Sequence, residues 1–152
     1  QCIASIEHYS TQIAEIDHAI IQIMERLHSV IMTIPGIGAI NGAMIIGEIG
    51  DIRRFSSPHK LLAYAGLDPS VNQSGNFQAR RTRMSKRGSK VLRHGLMNAA
   101  FNVVLNTRTF KQYYDAKRAQ GRLHYNALGH VAGKLVRVIF KMLTEEIHFA
   151  LD

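Results

Sequence analysis

The sequence predicts an all-α fold. A long, coiled-coil-like N-terminal helix leads into a glycine-turned hairpin, a basic irregular middle loop and C-terminal helices. Residues 3–31 lack both Gly and Pro and carry apolar side chains at helical spacing. Similar apolar stripes return over residues 90–104 and 124–148. With 152 residues, the chain fits one ordinary domain or a domain plus an extra helix, and two large domains are excluded. The predicted division is a coiled-coil or dimerisation helix over 1–31 and a helical domain over 32–152.

In the opening helix, Ile6, Tyr9, Ile13, Ile16, Ile20, Ile23, Leu27 and Val30 follow alternating spacings of three and four. That is an a/d heptad seam. It serves either self-association or packing against the rest of the chain. Pro35 is expected to end this helix. Gly36 and Gly38 then flank Ile37, and a helix rich in small residues is predicted from Ala39 to Ile49. This stretch, residues 31–50, resembles the helix-hairpin-helix module, with Ala43 at its small-residue position. The N–H groups of such a hairpin can hold a phosphate oxygen. Alternatively, the glycines make only a tight turn.

Ser57-Pro58 opens a short helix over 58–65, with Leu61, Leu62 and Ala65 facing inward. Gly66 stops it. Residues up to 89 read as irregular, with Val71 and Phe77 as pins. The helix from Lys90 to Val104 offers Val91, Leu92, Met97, Ala100, Phe101 and Val104 for burial. The segment 108–120 carries Phe110, Tyr113 and Tyr114 and ends at Gly121. The last helix, 124–148, places Leu128, Val131, Leu135, Val138, Ile139 and Leu143 near one stripe.

Net charge is +8, and its distribution is regional. Residues 1–68 carry four bases and seven acids, whereas residues 69–122 carry twelve bases and one acid, Asp115. Arg80, Arg81, Arg83, Lys86, Arg87, Lys90 and Arg93 fall within fourteen residues. Such a block repels itself unless an anion neutralises it, and a polyphosphate backbone is the common partner. Arginine suits bidentate phosphate contacts. The alternative is a solubilising surface. No apolar stretch reaches 18 residues free of charge, so a membrane span is excluded. A single cysteine excludes an internal disulfide framework and a cysteine-rich zinc site. A reducing, cytoplasmic setting follows. The chain opens on Gln1-Cys2 without Met and reads as part of a longer protein.

PGIG, RRFSSPHKLLAYAGLDP, QSG, RMSKRGSKVLRHGLMNAA and GHVAGKLVRVIF occur in that order. This series resembles the C-terminal transposase domain of the Piv-invertase-like insertion-sequence transposases, the DEDD-type recombinases linked to guide RNAs. The likeness runs through residues 31–122 and more loosely into the flanking helices. It implies a prokaryotic recombinase in which a RuvC-like domain with four carboxylates binds Mg²⁺. A coiled coil there supports dimers or tetramers, and the C-terminal domain lends a serine that attacks DNA. The matching serine is Ser74 in Gln73-Ser74-Gly75, with Ser85 as runner-up. The alternative role of Ser85 is to hold phosphate or to cap the helix beginning near Ser89. A serine hydroxyl needs activation, and no local base is evident in the sequence.

The resemblance further implies DNA or guide-RNA contacts by Arg80, Arg81, Arg83, Lys86, Arg87, Lys90 and Arg93, beside the hairpin glycines Gly36 and Gly38. Asn72, Gln73 and Asn76 are candidates for reading bases. Tyr113 and Tyr114 serve either base stacking or packing. His94 and His124 read as structural or phosphate-adjacent, and no metal site is expected within this chain. The competing function classes are a transposase domain, a non-enzymatic helix-hairpin-helix binding module and an oligomerisation element.

Overall fold

The last helix is the axis on which three of the other helices pack. The structure, a computed structural model, describes residues 2–69, 73–74, 77–78 and 84–150. Among these, the fold is all-α. The helices are α1 (Cys2–Leu27), α2 (Ala39–Ile49), α3 (Pro58–Tyr64), α4 (Lys90–Asn106), α5 (Arg108–Ala119) and α6 (His124–Glu145). Single 3-10 turns span Val30–Thr33 and Ile52–Arg54. A two-residue antiparallel pair joins β1 (Gln73–Ser74) to β2 (Phe77–Gln78), with Ser74 opposite Phe77.

In α6, Ala127, Leu128, Val131, Ala132, Leu135, Val136, Ile139 and Met142 are all buried. Their i, i+3, i+4 spacing makes one apolar face, which packs on α3, α4 and α5. Helix α4 answers with Leu92, Leu96, Ala99, Ala100 and Val103, and Ser89 Oγ caps it by accepting from the Leu92 N–H at 3.0 Å. Ile31, Ile34, Ile45, Ile49, Leu61 and Phe110 complete the core.

The predicted helices 39–49, 58–65, 90–104 and 108–120 are present within a residue or two, and the last ends slightly early. Three expectations are corrected. Helix α1 stops at Leu27, well before Pro35, because His28 takes a left-handed backbone (φ 46°). That turn lets Ile31 and Ile34 enter the core, and it removes Val30 from the seam. The element before the hairpin is therefore one 3-10 turn rather than the long helix. Val91 and Phe101, expected inside, are exposed, because the inward stripe of α4 runs through 92, 96, 99, 100 and 103. Val71 lies outside the described residues, as does the side chain of Phe77.

Helix α1 projects from this body. Its only buried residue is Met24. Ile6, Tyr9, Ile13, Ile16 and Ile23 are each about 60% exposed. Packing against the described body therefore does not cover the seam.

Core and projecting helix should separate experimentally. Ile139→Ala empties a fully buried position and should lower unfolding free energy by about 2–5 kcal/mol. Deleting residues 2–20 should leave the thermal midpoint of the body within experimental error, measured by circular dichroism.

Candidate nucleic-acid interface

Two backbone segments, 64–69 and 84–89, meet in a clasp at the base of the irregular loop. Ser85 N–H donates to the Asp68 carbonyl at 2.8 Å, Lys86 N–H to Gly66 at 3.0 Å and Ser89 N–H to Tyr64 at 2.8 Å. Side chains reinforce these bonds. Ser85 Oγ donates to Asp68 Oδ1 at 2.5 Å, and Ser89 Oγ donates to Glu48 Oε2 at 2.6 Å. Arg93 Nη1 donates to the Ala65 carbonyl at 3.1 Å. Gly66 and Gly88 have φ of 66° and 110°, and a Cβ on either would run into the opposite backbone. Pro69 and Met84 pair there as an isolated antiparallel bridge.

A groove of about 870 Å³ opens beside the clasp. Lys86, Lys90, Arg93, Arg122, Lys134 and Arg137 line it, with His94 and His130, and no carboxylate is among its described lining residues. None of the six cations forms an ion pair among the described residues. Gly129 and Gly133 of α6 keep the floor low, and Met84 covers Gly129. The Lys134 ammonium lies 4.8 Å from the Tyr113 ring centre, so this tyrosine orients a cation. Uncompensated like charges in one concavity make a site for a polyanion.

Of the predicted contacts, Lys86, Lys90 and Arg93 line the groove together, and His94 joins them. Arg87 is exposed next to the clasp. Arg80, Arg81, Arg83, Asn72 and Asn76 lie outside the described residues, and of Gln73 and Ser74 only the backbone is described. Gly36 (φ 90°) packs against the Asn102 carbonyl of α4, which gives it a structural role, whereas Gly38 is open. Ser85 does not cap α4, since Ser89 does. Tyr114 hydrogen-bonds His124 Nδ1 at 2.7 Å. Among the described residues, no three His, Cys, Asp or Glu side chains could share a metal ion.

Arg122, His130, Lys134 and Arg137 were missed by the sequence reading. Their signal is a stripe at 126, 129, 130, 133, 134 and 137, all on the groove side of α6. Bases and acids balance over 123–152, but the acids all fall at 145 or later, which hides the basic half.

The described residues thus form a helical domain with a cationic groove whose described lining holds no carboxylate. The family model for the Transposase IS116/IS110/IS902 family matches residues 28–115, beginning where α1 ends. The chain belongs to that family. It is 29% identical over 115 residues to an uncharacterized 43.6 kDa protein of insertion element IS110 from Streptomyces coelicolor, covering 76% of this chain and 28% of that one. The transposase for insertion sequence element IS1111A of Coxiella burnetii is 29% identical over 119 residues, covering 76% and 32%. The pilin gene-inverting protein of Moraxella bovis is 28% identical over 120 residues, covering 78% and 37%. The chain thus spans less than a third of the length of several insertion-element proteins that it matches. No helix among the described residues is long and apolar enough to cross a membrane.

His130 offers a reporter within the groove. Burial first, then Lys117 and Arg122, hold its pKa below the ordinary value of 6.5. The free domain therefore loses stability as pH falls below that ordinary value, because the unfolded chain takes the proton first. A bound polyanion reverses the local field and favours the imidazolium. Binding should take up a proton, so affinity for an oligonucleotide should rise as pH falls from neutrality, and His130→Gln should flatten the rise. An NMR titration checks this. A His130 pKa unmoved by oligonucleotide would place the strand elsewhere.

Proposed function

We propose that this chain is the nucleic-acid-binding, serine-bearing part of a transposase that recombines DNA. The observation that carries the reading is the groove, with six cations that form no ion pair among the described residues and with no carboxylate among its described lining residues, in a member of a transposase family. The phosphate backbone lies along Lys86, Lys90, Arg93, Arg122, Lys134 and Arg137, and Arg80, Arg81 and Arg83 are further proposed phosphate contacts. These contacts position a strand rather than read its bases. DNA is the substrate strand, and a guide RNA is a second strand of the same chemistry. The start of α2, whose N-cap Gly38 supplies no side-chain cap, adds a minor phosphate contact.

Ser74 is the nucleophile in this reading. Its oxygen replaces one ester oxygen of a phosphodiester, the strand end leaves as a free hydroxyl, and the phosphate stays a diester on the protein. Ser85 is already engaged. Its hydroxyl donates to Asp68 and accepts from the Arg87 N–H at 3.4 Å, so its work is closing the clasp. The described residues do not fit a Mg²⁺ site. The metal belongs to a RuvC-like domain carried elsewhere in the full protein, and this chain alone binds but does not recombine DNA. The uncovered heptad seam of α1 supports homo-oligomer formation, since an exposed isoleucine stripe at a/d spacing is matched by another helix of the same kind.

Two experiments test this. Lys90→Ala and Arg137→Ala should each weaken oligonucleotide binding for all sequences alike and reduce the salt slope by about one. Unchanged slopes in fluorescence titrations would reject the groove. In the full-length protein, Ser74→Ala should abolish strand joining with binding retained, while Ser85→Ala should cost about 1–2 kcal/mol of stability and keep the chemistry. Joining by the Ser74→Ala protein would remove Ser74 from the reaction.

A further inference from the structure

Next to the cationic groove is a second concavity of about 480 Å³, shaped by α2, α4 and the start of α6. The two share Met97 and Tyr125 as a common wall. Their chemistry differs sharply. The second pocket has no Lys, Arg, Asp or Glu among its described lining residues. It offers three side-chain amides, from Asn41, Asn98 and Asn102, and three rings, from Phe101, His124 and Tyr125.

The rings are arranged rather than scattered. Tyr114 holds His124 through Nδ1 at 2.7 Å. His124 then meets Phe101 edge-on, at 6.4 Å and 85°, and Tyr125 at 5.0 Å and 64°. Phe101 and Tyr125 remain 46% and 76% exposed, so both rings have free surface. Two of the amides have unused capacity. The Asn102 side chain has no hydrogen bond among the described residues. Asn41 donates to the Gly95 carbonyl at 3.1 Å, and its Oδ1 is the one buried side-chain polar atom without a partner among the described residues.

We propose that this pocket receives an unstacked nucleobase from a single strand whose phosphates lie in the adjoining groove. The proposal rests on the polyanion reading of that groove. A nucleotide has a charged backbone and a flat, neutral base with donors and acceptors on its edge. The surface is divided in the same way, with cations on one side of Tyr125 and rings and amides on the other. Rings give stacking that any base satisfies, and amides bond base edges. A paired base presents neither its face nor its Watson–Crick edge, so the occupant is unpaired. DNA and RNA share this chemistry.

The test measures affinity by fluorescence anisotropy for a single DNA strand, the RNA of the same sequence, an abasic strand of equal length and charge, and the duplex. The intact single strand should bind about tenfold more tightly than the abasic one. Phe101→Ala should erase that difference while leaving abasic affinity unchanged; Tyr125→Ala should erase it too, and Tyr125→Phe should restore it. Both rings are exposed, and circular dichroism confirms that the variants fold. A preference for DNA or for RNA identifies the source of the base and supports the pocket either way. Equal binding of abasic and intact strands, or full affinity in both alanine variants, overturns the pocket. If Lys90→Ala still weakens every strand in that case, the groove stands alone. Binding of no strand at low salt overturns both.

Discussion

The clasp between residues 64–69 and 84–89 is the constraint on which the interface depends. Its two backbones approach too closely for a Cβ at Gly66 or Gly88. That closeness makes a ladder of N–H to carbonyl bonds possible outside any regular sheet. It also fixes the start of α4, since Ser89 both caps that helix and binds Glu48 of α2. One short crossing therefore sets the ends of the serine-bearing loop, the direction of α4 and the places of Lys86, Lys90 and Arg93. The motif residues AYAGLDP and RMSKRGS, far apart in sequence, face one another there.

The opposite wall has a different origin. Helix α6 buries one face in the core and turns the other toward the groove. Glycines at 129 and 133 lower helix propensity by about 1 kcal/mol each relative to alanine. The helix tolerates them because its apolar face is almost fully buried. In return the groove is deep enough for Met84 to lie over the helix and for Lys134 and Arg137 to reach the same space. The family match ends at residue 115, so half of the cationic surface is supplied by a segment beyond it.

Helices were legible where apolar spacing and a breaker agreed, as in α2, α3 and α5. Less legible was the end of α1. Its seam runs on to Val30 in sequence, but burial of Ile31 and Ile34 outweighs one more helical turn. The orientation of α4 was misjudged because hydrophobicity alone cannot say which side of a helix carrying Val91, Leu92, Leu96 and Phe101 meets the core. Half of the groove was visible as the arginine-rich run. The other half was hidden by averaging charge along the chain, when α6 segregates it by face. Ser85 binds Asp68, and pairing between residues 68 and 85 has no local signature in the sequence.

One methionine and one glycine decide how α1 is joined to the body. Met24 is the single buried residue of α1, and it reaches Gly42 of α2 together with Met32. Just after it, His28 turns the chain through a left-handed conformation. The long helix is thus joined to the body at its last turn only, so its exposed seam is free of the core's packing demands. A projecting helix held at one end can associate without disturbing the clasp or the groove. Separation of this kind suits a domain that must hold a strand in one place while its copies are gathered in another. The geometry makes the two tasks independent, because no residue of α1 lines either concavity.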